Sequence, residues 1–230
     1  MADSINYESK NTVDSKGQVS EYVYFDGEPD GSPRVLIMGN SITRHSPLAD
    51  IGWGGDWGMA ASKKELDYVH VLMAKIRERV PRATFCVVQG AVWERSYRSF
   101  DPDAYYSEAR DFRPDIIVTA ITANIPDAEF ECDAFFSAMG EFHDYFGMSA
   151  LGSKLVQTSS FFNNQKKSEA IKKYVEARGG RYVYISDLPS DPRNLAIGEH
   201  WHDGVQHHPG DRGMREIAER IFEALKMHLD

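Results

Sequence analysis

From Arg34 onward the chain alternates short apolar runs with longer segments whose apolar residues recur every three or four positions. The runs are RVLIM (34–38), ATFCVV (83–88), DIIVTAI (115–121), KLVQTS (154–159) and RYVYIS (181–186). Unbroken apolar runs of this length read as strands buried on both faces. Between them, Leu66, Val69, Leu72, Met73 and Ile76 mark a helix in KKELDYVHVLMAKIRERV. Residues 101–112 enter a helix at Asp-Pro, 127–146 carry another periodic pattern, and NNQKKSEAIKKYVEARGG ends on a glycine pair suited to a left-handed cap. RGMREIAERIFEAL closes the chain as an amphipathic helix, and EYVYFDGEPDGSP (21–33) reads as a short strand and a Gly/Pro turn. This alternation predicts an α/β fold: a three-layer α/β/α sandwich around a mainly parallel, five-stranded central sheet. The expected organisation is a flexible or loosely docked leader over 1–20 and one α/β domain over 21–230.

In such sheets ligands bind beyond the carboxyl ends of the strands. The first central run ends at Gly39 and hands over to Asn40-Ser41. A serine there is either the N-cap of a following helix or a nucleophile whose neighbouring backbone N–H groups can hold an oxyanion. A nucleophilic hydroxyl needs a base. Four of the eight histidines, His200, His202, His207 and His208, lie in GEHWHDGVQHHPGDRGM, between the last strand and the last helix. His208 precedes Pro209 on a rigid turn, and Asp203 stands nearby as a carboxylate able to orient an imidazole.

These stretches resemble blocks of the SGNH (GDSL-like) hydrolases, including carbohydrate esterase-like members. GNSIT is similar to the first block, TAN in VTAITANIPD to the third, and DGVQHHPGDRGM to the last, over roughly residues 34–225. The resemblance implies an SGNH/flavodoxin-like sandwich and a cofactor-free, metal-free serine esterase acting through an acyl-enzyme. Ser41 would be the nucleophile, His208 the base and Asp203 the acid. The oxyanion hole would draw on the Ser41 N–H, the Asn124 side chain, and a backbone N–H at Glu94 or Gly90. This chain departs from the pattern at three positions. Asn40 replaces an aspartate, Thr122 replaces a glycine, and Asp203 lies five residues before His208 where the family's aspartate lies three before. A backbone carbonyl or Glu199 therefore remains an alternative to Asp203, and His202 or His207 to His208.

RHSPLADIGWGGDWGMAAS (44–62) sets Trp53, Trp57 and Met59 among glycines, in a loop expected to fold over the site. Tryptophan is apt for stacking on a sugar ring, so Trp53, Trp57, Trp93 and Trp201 are candidate substrate contacts, with Glu94 a candidate for substrate hydroxyls. At least one tryptophan is expected to be structural. No long apolar lid of the lipase kind is visible, which favours a small acyl group, such as an O-acetyl ester on a carbohydrate. Two rivals are a metal-dependent hydrolase built on His200, His202, Asp203 and His207, and a catalytically silent glycan- or partner-binding member of the fold.

Composition narrows the partners. At 42% apolar and 27% charged the chain reads as globular, and a net charge of -9 without a basic block argues against nucleic-acid binding. The amino terminus lacks a signal-peptide core, and no run of about 18 apolar residues occurs to span a membrane. Cys86 and Cys132 fit no metal spacing and are expected to be buried free thiols. A cytoplasmic protein acting on a small-molecule or carbohydrate ester is the expectation, with the oligomeric state undetermined.

Overall fold

The computed structural model describes residues 17–162 and 164–229. Its sheet has six strands: β1 (Val23–Asp26), β2 (Arg34–Gly39), β3 (Thr84–Gln89), β4 (Ile116–Ala120), β5 (Lys154–Thr158) and β6 (Arg181–Val183). Their order is β1-β3-β2-β4-β5-β6, and every pair is parallel except β1–β3. The five parallel strands are the five runs read from the sequence, in flavodoxin-like order. The sixth is the short 21–33 strand, which lies antiparallel along the β3 edge and covers backbone groups otherwise left unpaired.

The α-helices are α1 (Tyr68–Arg79), α2 (Ala91–Ser96), α3 (Asp103–Tyr106), α4 (Cys132–Tyr145), α5 (Met148–Leu151), α6 (Gln165–Ala177), α7 (Asp203–Gln206) and α8 (Asp211–Leu225). Alternate strand residues face opposite layers. Val35, Ile37, Phe85, Val87 and Val118 pack against α1 and α8, whereas Leu36, Met38, Cys86, Val88 and Ile117 pack against α2, α4 and α6. The result is the expected three layers. The helix expected over 101–112 is instead a single turn, α3, followed by a 3-10 stretch over Ser107–Phe112. Gly179, at φ 66°, supplies the left-handed cap after α6.

Most of the expected leader, residues 1–16, lies outside the described residues. Gln18 and Val19 are buried, and Gln18 Oε1 accepts from Gln89 Nε2 at 2.8 Å. Cys86 is buried and Cys132 only half-buried; both are free thiols. Among the described residues no helix is long and apolar enough to cross a membrane.

Candidate active site

β2 is where the strand order reverses: β3 lies on one side of it and β4 on the other. Gly39 sits level with Gln89 and with Ala120, so the chains leaving all three strands converge at one rim. That is the switch point at which open α/β sheets form their crevice. Gly39 is required by close approach, because a Cβ there would lie 1.8 Å from Thr43 Oγ1. Asn40 O then accepts from the N–H groups of Thr43 (2.9 Å) and Arg44 (3.0 Å), making one isolated turn rather than a helix. Ser41 is therefore not the cap of a following helix. It stands on this turn, and among the described residues its own N–H donates to no protein group.

Across the rim, Ser41 Oγ lies 2.9 Å from His208 Nε2. His208 Nδ1 lies 2.7 Å from the carbonyl oxygen of Gly204. A carbonyl only accepts, so Nδ1 carries the proton and Nε2 presents a lone pair to the serine. His208 is fixed from its backbone too: its N–H donates to Val205 O (3.0 Å) and its carbonyl accepts from Ala196 N (3.1 Å). Phe162 sits edge-on to the imidazole, with ring centroids 5.6 Å apart. Burial lowers the His208 pKa to about 4; the Gly204 hydrogen bond opposes this, and charge on His45, His207 and His200 adds to it.

Asp203 does not back this histidine. α7 is one turn long, and on a helical turn residue i lies beneath i+4. Gly204 is thus under His208, whereas Asp203 is under His207: Asp203 O lies 2.7 Å from His207 Nδ1, and its mostly exposed carboxylate lies 3.4 Å from the same atom. Three residues before His208 comes Val205, buried at 1% exposure. Glu199 is exposed. The cluster expected of a metal hydrolase does not converge: among the described residues no three His, Cys, Asp or Glu side chains are placed to hold a metal ion.

The oxyanion donors expected on the second block are both used inside the fold. Gly90 N–H donates to Gly39 O, and Glu94 N–H to Gly90 O at 3.1 Å within α2. Nor does Glu94 reach a substrate. It is fully buried, and its Oε1 accepts from Asn40 Nδ2 (3.1 Å), Asn124 N (3.4 Å) and Thr122 N, while Oε2 accepts from Asn124 Nδ2. Thr122, in place of a glycine, holds φ 122°, a left-handed conformation that a β-branched residue rarely adopts. Its buried hydroxyl has no hydrogen-bond partner among the described residues.

The tryptophans divide between interior and surface. Trp93 is core, stacked on Phe142 with centroids 5.0 Å apart. Trp53 is buried and Trp57 half-buried. Their indole N–H groups donate within the loop, to His45 O and Ala61 O, each at 2.9 Å. The loop is tied to the nucleophile turn by Met59 N donating to Ser41 O at 2.9 Å. Only Trp201 is open to solvent, 71% exposed, lying over Gly52, where a Cβ would meet its Nε1 at 2.2 Å. The Gly204 carbonyl and Phe162 went unnamed in the sequence reading. A one-turn helix just before His208 was the available signal for the first, and none existed for the second.

No family model matches the sequence, and no curated protein matches it. Solved structures do. The chain is similar to the psychrotrophic esterase EstA from Pseudoalteromonas sp., solved inhibited by monoethylphosphonate, at 12% identity and TM-score 0.58 over 86% of this chain and 99% of that one. A family two carbohydrate esterase from Cellvibrio japonicus is similar at 15% identity and TM-score 0.52, over 87% of this chain and 62% of that one. Another, from Clostridium thermocellum in complex with cellohexaose, is similar at 11% and 0.55, over 86% and 65%. The fold is that of the SGNH (GDSL-like) hydrolases.

Proposed function

We propose that this protein is a serine ester hydrolase. The Ser41–His208 contact of 2.9 Å carries the reading. Ser41 Oγ attacks the ester carbonyl as His208 Nε2 takes its proton; Gly204 O holds the other ring proton and so fixes the tautomer. The Ser41 N–H and the Asn124 amide stabilise the tetrahedral oxyanion. His208 then protonates the leaving alcohol, and water, deprotonated by the same nitrogen, releases the acid from the acyl-enzyme. A short acyl group on a carbohydrate is the substrate class this site favours. The exposed Trp201 offers a stacking face, and similar folds belong to carbohydrate esterases.

Labelling by a fluorophosphonate, read by mass spectrometry, tests the nucleophile. The reading expects a single adduct on Ser41, absent in Ser41→Ala. An unlabelled wild type, or hydrolysis that survives Ser41→Ala, would overturn it. The substrate class is tested with p-nitrophenyl acetate beside the octanoate, and with an acetylated oligosaccharide. Trp201→Ala should raise KM for the oligosaccharide far more than for p-nitrophenyl acetate.

A further inference from the structure

Glu94 is a fully buried carboxyl group next to the site, and the mechanism above gives it no chemical step. All four hydrogen bonds assigned to it come from N–H donors: Asn40 Nδ2, Thr122 N, Asn124 N and Asn124 Nδ2. Those donors belong to the residue before the nucleophile and to the turn after β4. A protonated acid would aim an O–H at a donor, so the set matches the ionised form, which accepts only. Burial pushes the Glu94 pKa up, and the hydrogen bonds from Asn124, Thr122 and Asn40 pull against it.

Two features at the far end of these bonds need a cause. Thr122 holds φ 122° although it is β-branched, and such a conformation persists only where its surroundings enforce it. Asn124 is the proposed oxyanion donor, and an amide can be flipped so that oxygen and nitrogen exchange places. The Glu94 carboxyl group touches both: its Oε1 accepts from the Thr122 N–H and its Oε2 from the Asn124 amide nitrogen.

We propose that Glu94 is the positioning residue of this site, acting through Asn124 by fixing the orientation of its amide. The inference rests on the esterase reading. In Glu94→Gln the amide keeps its oxygen towards Thr122 N and Asn40 Nδ2, which places its nitrogen against Asn124 Nδ2. Two donors then face each other, and Asn124 turns its oxygen inward.

The experiment is a double-mutant cycle on p-nitrophenyl acetate, with thermal melting measured beside it. Asn124→Ala and Glu94→Gln are each expected to lower kcat about 10²-fold with little change in KM, as for loss of one oxyanion donor. The double variant Glu94→Gln/Asn124→Ala should be no slower than Asn124→Ala alone, because position 94 has nothing left to orient. Glu94→Gln/Asn124→Asp separates the role from mere folding. There the side-chain amide introduced at position 94 donates to the carboxylate introduced at position 124. Melting should recover while kcat stays low, and this comparison stands even if Glu94→Gln alone fails to fold. An effect of Glu94→Gln that multiplies with Asn124→Ala overturns the inference. So does an unchanged kcat in Glu94→Gln, or recovery of kcat by the swap, in each case with the wild type still labelled at Ser41. A wild type that does not label at Ser41 overturns the esterase reading, and the inference with it.

Discussion

The two walls that meet at the Ser41–His208 contact are built on opposite plans. The inner wall, Asn40, Glu94, Thr122 and Asn124, is buried and organised around one carboxylate that gathers four N–H donors. The outer wall, residues 199–208, carries its carboxylates on the surface, and the Nδ1 of His208 meets a backbone carbonyl rather than a carboxylate. A buried carboxyl group with a full set of donors is rigid, because displacing it leaves several groups unsatisfied at once. A backbone carbonyl orients an imidazole without adding negative charge, so nothing raises the pKa of His208 strongly. The buried carboxyl group of this region is not behind the histidine but bonded to Asn40, the residue before the serine.

The largest expected effect falls on the base. His208→Ala should lower kcat/KM on p-nitrophenyl acetate by about 10⁴-fold or more, leaving the melting temperature close to wild type. A loss of less than tenfold would move the base elsewhere.

The pH profile tests the comparison itself. His208 is lowered to about 4, so it is neutral and competent above that value, and kcat/KM should fall as pH drops through about 4. A carboxylate behind the ring would instead raise its pKa, and the acid limb would appear above 6.5. Stability should follow the same sign. His143, sealed between Thr119 Oγ1 (2.9 Å) and Tyr174 OH (2.8 Å), is lowered to about 3, so unfolding takes up protons in mild acid. The melting temperature should therefore decline as pH falls from about 6.5 towards 3, and a flat profile would contradict this.

On the inner wall, Thr122→Gly removes both a strained φ and an unpartnered buried hydroxyl. It should raise stability by about 1 kcal/mol, the relief of strain exceeding the added backbone entropy of glycine. Denaturant unfolding gives the number. The smallest effect belongs to the outer wall: Asp203→Asn should leave kcat/KM and the acid limb unchanged. A shift of that limb would restore Asp203 to the relay.

The layered architecture was legible because its signals are local and repeated. Five apolar runs at strand length and helices of period 3.6 define an α/β sheet whatever else the chain carries. The meeting of Ser41 and His208 has a related origin: each lies where a strand-end loop must run. Other residues were placed differently from expectation, each by a local turn or loop. Glu94 and Trp93 looked like cleft residues because they follow a strand end, yet α2 turns both into the interior, and a six-residue helix leaves almost no periodic signal. Trp53 and Trp57 looked like a substrate platform, but their loop consumes both indole N–H groups in holding itself together. Asp203 was read by sequence distance, and the α7 turn decided between its two histidines.

The chain's pattern of apolar runs and amphipathic segments by itself determined the sheet, the layers, and the rim where chemistry gathers, since burial periodicity is encoded residue by residue. Only the tertiary structure brought Ser41 to His208 and Asn40 to Glu94. Those contacts join residues separated by 167 positions for Ser41 and His208 and by 54 for Asn40 and Glu94. They depend on hydrogen-bond directions good to a fraction of an ångström, and no local pattern of side chains carries that information.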